Sequence, residues 1–134
     1  MRELSVVITV MNEEANIAPL LAAVRSALHG MDYEVVFVDD GSTDRTIPEI
    51  KAHADGRTRL VELRKNYGQS TAMTAGIDHS TGRHIALIDG DLQNDPADIP
   101  LLLAKIEEGY DLVSGWRHQR QDAAISRLLP SKLA

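Results

Sequence analysis

The feature that most constrains the fold is an alternation of short apolar runs with stretches of helical periodicity. Leu4–Val10, Tyr33–Val38, Arg59–Leu63, Ile85–Ile88 and Asp111–Ser114 read as strands. After the first of them, Ile17, Leu20, Leu21, Val24 and Leu28 recur at helical spacing, and Gly30 closes that helix. Thr46-Ile47-Pro48-Glu49 has capping-box chemistry with Pro in the first turn, which places a second helix start near Thr46. A small-residue helix is expected from about Gln69 to His79. Asp95-Pro96-Ala97-Asp98 caps another, with Ile99, Leu102, Leu103 and Ile106 as its apolar face. Such alternation predicts an α/β fold: a mostly parallel, Rossmann-like sheet flanked by helices. The 134 residues fit one domain and show no linker or composition break before residue 116.

Polar clusters follow four of the five runs, and open α/β sheets bind ligands at the carboxyl ends of their strands. The fourth run ends in Asp89-Gly90-Asp91. Side chains at i and i+2 of an extended chain share a face, and two such carboxylates suit a divalent cation that takes its remaining ligands from phosphates and water. An acidic pair in a solvated turn is the plainer alternative. Asp39-Asp40-Gly41-Ser42 follows the second run, either as a helix cap or as a ligand site. Side-by-side carboxylates repel, and the N–H of a nucleobase would relieve them. Asn12-Glu13-Glu14 follows the first run as an N-cap with first-turn acids or as part of a base pocket. Arg64-Lys65-Asn66-Tyr67-Gly68-Gln69 is either an ordinary loop or a turn that presents a helix N-terminus to an anion.

Composition removes several classes. The chain has no Cys, so disulfides and thiolate metal sites are excluded, and its five His residues lack metal-ligand spacing. No Walker A loop or Gly-x-Gly-x-x-Gly is present, and no run has the length of a bilayer span or the layout of a signal peptide. The net charge of −6 argues against nucleic acid, yet it is unevenly spread. Residues 1–116 carry a balance of −9, whereas 117–134 carry +3 through Arg117, Arg120, Arg127 and Lys132 against Asp122. A basic end suits an anionic partner, although a solvated tail is the simpler account of so short a segment.

Taken in order, Val6–Glu14, Val38–Asp44, Arg64–Gln69, Leu87–Pro96 and the basic stretch with Ser114-Gly115-Trp116-Arg117 and Arg127–Ser131 resemble the family 2 glycosyltransferases, in particular the dolichyl-phosphate-mannose-synthase-like branch. Each motif is modest; all five in sequence are specific. The resemblance implies a GT-A fold, a nucleotide-sugar donor (UDP ahead of GDP) and inverting transfer to a polyprenyl phosphate. Thr9, Val10, Glu13, Asp40, Gly68, Asp89, Gly90 and Asp91 would then bind the donor, with Asp40 accepting the N–H of the base. Asp89 and Asp91, the catalytic pair, would hold Mg²⁺ or Mn²⁺ together with Gln93. Arg117, Arg127 and Ser131 would grip the acceptor phosphate.

On this resemblance residues 1–116 form the donor-binding core. Residues 117–134 open an acceptor segment that continues beyond Ala134 in the family, so a C-terminally truncated chain is expected. The complete protein is expected at the cytoplasmic face of a membrane, with a homo-oligomer left open. The family often carries Pro and an aromatic where Thr9 and Met11 stand here. Transfer to a hydroxyl acceptor and a non-catalytic nucleotide-binding module are the competing readings.

Overall fold

The structure is a computed structural model that describes residues 2–92 and 95–108, with the backbone of 110–112 and 129–130. Four strands, β1 (Leu4–Val10), β2 (Tyr33–Asp39), β3 (Thr58–Glu62) and β4 (His84–Asp89), form one all-parallel sheet in the order β3-β2-β1-β4. Every residue of β1 and β2 is buried, whereas β3 and β4 alternate in exposure as edge strands do. Continuous apolar character in the two central strands is what burial on both faces demands.

One face of the sheet carries α1 (Ile17–Ala27), α2 (Thr46–His53) and α4 (Ile99–Glu107). Leu4, Val6, Ile8 and Val10 of β1 pack there with Tyr33, Val35 and Phe37 of β2 against Ile17, Leu20, Leu21 and Val24 of α1, Ile50 of α2 and Ile99 of α4. The opposite face carries α3 (Gln69–Asp78), whose Ala72 and Ala75 sit on Val7, Val36 and Val38. Its approach is close. A Cβ on Gly76 would fall 2.3 Å from a methyl of Val7, which explains the small residues of this helix. Because α3 lies over β1 and β2, Ile85 and Leu87 of β4 keep 38% and 44% of their surface exposed.

The order β3-β2-β1-β4 contains a topological switch. The chain steps outward from β1 to β3, then returns along α3 to place β4 on the other side of β1. The strand order thus reverses between β1 and β4, the place where open α/β sheets bind ligands.

The fifth run forms a strand, Tyr110–Leu112 (β5), which pairs antiparallel with Leu129–Pro130 (β6) in a separate two-stranded sheet. One sequence expectation is corrected. Thr46 does not form a capping box. It is the first residue of α2, and its hydroxyl donates to Asp44 Oδ1 at 2.5 Å and accepts the Glu13 N–H at 2.8 Å. Asp44 supplies the cap instead, taking the Thr46 N–H at 2.9 Å.

At the amino end of the strands, Glu34 of β2 is 4% exposed and charged. Its Oε2 accepts the Ser5 hydroxyl at 2.6 Å and the Thr81 N–H and hydroxyl at 2.7 and 2.9 Å, while Arg59 lies 3.5 Å from Oε1. Burial pushes this carboxyl up, but the Ser5 and Thr81 hydrogen bonds and then the Arg59 charge outweigh it and hold the group below its ordinary 4.5. A depressed folded value means that the stabilisation is fully present above the unfolded value and is lost as pH falls through the folded one. Glu34→Gln is therefore expected to lower stability by about 2 kcal/mol at pH 7. The gap to wild type should close in denaturation midpoints taken below pH 4, because only the wild-type side chain gains a proton there.

Candidate active site

The register of the sheet builds the site. Thr9 lies beside Asp89 at the carboxyl ends of β1 and β4, and the Thr9 hydroxyl donates to Asp89 Oδ1 at 3.3 Å. The next residue, Gly90, donates its N–H to Thr9 O at 3.0 Å, and a Cβ there would stand 2.5 Å from Val10 Cγ1. Only glycine lets this turn lie flush against β1. Asp91 then points along the same rim, and Leu92 turns the chain away with φ at 64°.

A cleft of about 240 Å³ opens above these strand ends, lined by Thr9, Val10, Met11, Glu13, Asp40, Gln69, Ala72, Asp89, Gly90 and Asp91. Seven of the donor-site residues expected from sequence are thus brought together: Thr9, Val10, Glu13, Asp40, Asp89, Gly90 and Asp91. Gly68 is not among the lining residues; it is the N-cap of α3, with φ at 104°. Gln93 and the acceptor residues Arg117, Arg127 and Ser131 lie outside the described residues, as does the boundary at residue 116.

The two adjacent aspartates turn out to have divided tasks. Asp39 Oδ2 accepts the N–H groups of Gly41 and Ser42 at 3.2 and 2.9 Å, a local turn on its own strand end. Asp40, 6% exposed, reaches the other way. Its Oδ1 takes the Tyr67 N–H at 2.8 Å and its Oδ2 the Gly68 N–H at 3.1 Å, so it fastens the start of α3 beside the cleft. Gly41 lets the two loops touch: with φ at 84°, it lies where a Cβ would meet the Asn66 nitrogen at 2.6 Å.

A second set of bonds joins the loops after β1 and β2. Asn12, at φ 54°, accepts the Thr43 N–H on its side-chain oxygen at 2.8 Å, and its own N–H donates to the Ser42 hydroxyl at 2.8 Å. The Glu13 carboxylate accepts the Asn16 amide at 2.5 Å. Asp44 is held below the ordinary carboxylate range: burial acts against its charge, and the Thr46 hydroxyl and the Thr46 and Glu14 N–H groups more than offset that. These contacts make one rigid wall out of two loops.

Sequence reasoning missed Gln69. It is the first residue of α3 and lines the cleft, and its side-chain amide donates a short hydrogen bond to Asp89 Oδ1. The available signal was an amide at a helix start next to a glycine that ends a strand-to-helix loop; its target becomes visible only when β4 is placed beside β1.

Whether a metal fits can be judged from the donor set. Among the described residues no group of three or more His, Asp or Glu side chains converges to enclose an ion. What the rim offers is two carboxylates facing a polar cleft. That set fits Mg²⁺ or Mn²⁺ shared with a ligand's phosphates, and does not fit a closed structural site.

Residues 5–132 match the family model described as Glycosyl transferase family 2. A dodecaprenyl-phosphate galacturonate synthase from Rhizobium johnstonii is 45% identical over 136 residues, covering 96% of this chain and 40% of that protein. An undecaprenyl-phosphate 4-deoxy-4-formamido-L-arabinose transferase from Shewanella sediminis is 46% identical over 134 residues, with the same 96% and 40% coverage. Among solved structures, the mannosyltransferase PcManGT from Pyrobaculum calidifontis, in complex with GDP-Man and Mn²⁺, superposes with a TM-score of 0.61 at 27% identity, covering 67% of this chain and 28% of its own. The chain therefore spans about 40% of the length of these curated relatives. The parallel sheet with its flanking helices is the GT-A fold that the motifs implied. With the family model spanning nearly all of its residues, the chain belongs to glycosyl transferase family 2.

Proposed function

We propose that this chain is the donor-binding part of a polyprenyl-phosphate glycosyltransferase, which transfers a sugar from UDP with inversion of configuration. The observation that carries the proposal is the cleft at the switch point, where Asp89 and Asp91 line one opening together with Thr9, Val10, Glu13 and Asp40. Relatives at 45% and 46% identity are named for transfer to dodecaprenyl and undecaprenyl phosphate, which supports a lipid phosphate as acceptor.

In this reading the base lies towards Val10, Glu13 and Asp40, and the diphosphate lies over Asp89 and Asp91. A divalent cation held by those two carboxylates would offset the charge that grows on the departing nucleoside diphosphate. Thr9 and Gln69 hold the Asp89 carboxylate, and Gly90 keeps the turn low enough for the diphosphate to approach. Asp40 keeps the start of α3 against the cleft through the Tyr67 and Gly68 N–H groups. The acceptor needs no general base from the protein, because a phosphate monoester with a second pKa near ~6 is already mostly ionised at pH 7. Arg117, Arg127 and Ser131 are proposed to bind that phosphate, Arg being suited to it through paired hydrogen bonds.

Within the described residues no helix is long and apolar enough to cross a membrane. A lipid phosphate is presented at a bilayer surface, so the proposed place of work is the cytoplasmic face of a membrane.

The test pairs donor and acceptor. Calorimetric titration should give tighter binding of UDP than of GDP, strengthened by Mn²⁺, and labelled sugar should move to a short polyprenyl phosphate but not to the matching polyprenol. Equal transfer to the alcohol would replace this reading with the hydroxyl-acceptor one. Nucleotide binding without any transfer would favour a non-catalytic module.

A further inference from the structure

Gln69 does something unusual for the first residue of a helix. Such a side chain ordinarily extends into water; here it reaches from α3 to the end of β4 and donates to Asp89 Oδ1.

 The Gln69 side chain is itself exposed, so burial does not explain its course. The Thr9 hydroxyl reaches the same oxygen at 3.3 Å from β1. Two donors from two different elements thus converge on one oxygen of one carboxylate.

The base of Gln69 is fixed as firmly as its tip. Asp40 holds the backbone N–H groups of Tyr67 and Gly68, the two residues before it. One turn further on, Ala72 is fully buried against the sheet, and Gly76 lies directly on Val7. A side chain anchored in this way can set the plane of the carboxylate it touches, whereas a flexible loop residue cannot.

We propose that Gln69 is a positioning residue that orients the Asp89 carboxylate for the divalent cation. The proposal rests on the metal-and-donor reading of the cleft given above and adds the residue that prepares one of its ligands. Partners of this kind, one bond removed from a metal, change metal affinity by about 10- to 100-fold when removed.

Gln69→Met keeps length and helix preference and removes the amide. Gln69→Asn keeps the amide and withdraws it by one methylene. Both side chains are exposed at the helix start, so thermal midpoints should match wild type. Mn²⁺ binding in the presence of UDP, followed by the electron paramagnetic resonance of free Mn²⁺, is expected to weaken about 10-fold or more in both variants. UDP affinity without metal is expected to stay the same. A Mn²⁺-dependent wild type with unchanged Mn²⁺ affinity in both variants overturns the role of Gln69 alone. An equal loss of metal-free UDP binding makes Gln69 a direct nucleotide contact and overturns positioning. A wild type whose UDP binding ignores Mn²⁺ overturns this proposal together with the reading it rests on.

Discussion

Asp91→Ala is expected to lower sugar transfer by about a thousand-fold and to remove the effect of Mn²⁺ on UDP binding. A thousand-fold corresponds to about 4 kcal/mol of barrier, within what a metal contributes by stabilising charge on a leaving group. The residue suits such a test because it sits in the turn after β4, partly exposed on the cleft rim and outside both apolar cores. The thermal midpoint is the control that separates lost chemistry from lost stability. Asp89→Ala is a less clean experiment, since it also strips Thr9 and Gln69 of their common acceptor. Transfer by Asp91→Ala at the wild-type rate, still responsive to Mn²⁺, would take Asp91 out of the proposed chemistry.

The second large effect is expected from Asp40→Asn. The wild-type carboxylate accepts two backbone N–H groups, one on each oxygen, at a position that is 6% exposed. An asparagine has a single oxygen, so its amide nitrogen must confront either the Tyr67 or the Gly68 N–H. Losing one charge-assisted bond and leaving a donor unmet costs about 2–3 kcal/mol. The start of α3 then loosens, and Gln69 moves with it. Both the denaturation midpoint and the affinity for UDP are expected to fall. A drop in affinity at unchanged stability would assign Asp40 to the base alone. A drop in stability at unchanged affinity would assign it to the loop alone.

Much of the architecture could be read from the chain. The limits of β1 coincide with the apolar run Leu4–Val10, and α3 begins at Gln69 as its small-residue pattern implied. These features are local, written in side-chain periodicity and in the residues that stop it. The cleft lining was legible for a related reason: in a parallel sheet the polar residues that end the strands are carried to one edge.

What escaped detection depends on partners far away in sequence. Thr46 had the right spacing for a capping box, yet its hydroxyl is taken up by Asp44 and by the Glu13 N–H, 33 residues distant. Asp39 and Asp40 invited an explanation by mutual repulsion. Successive residues of a strand point to opposite faces, and the two carboxylates part to bind separate loops. The fifth run was recognised as extended, but an apolar run carries no information about the strand it will pair with, and β5 found β6. Gln69 needed a contact between residues 20 apart to acquire a purpose.

The two carboxylates that β2 sends to the α3 face, Glu34 and Asp40, grip opposite ends of one connection. Glu34 takes the Thr81 N–H, beyond the end of α3, and Asp40 takes the Gly68 N–H, before its start. Six strand residues span roughly 20 Å, the ten residues of α3 rise roughly 15 Å, and the turn after Asp78 takes up the remainder. β2 thus acts as a gauge for the connection that contains α3. A single residue inserted into α3 could satisfy one grip only at the expense of the other, and it would turn Gln69 roughly 100° away from Asp89. The length of this connection thus joins the identity of Gln69 in setting the geometry of the cleft.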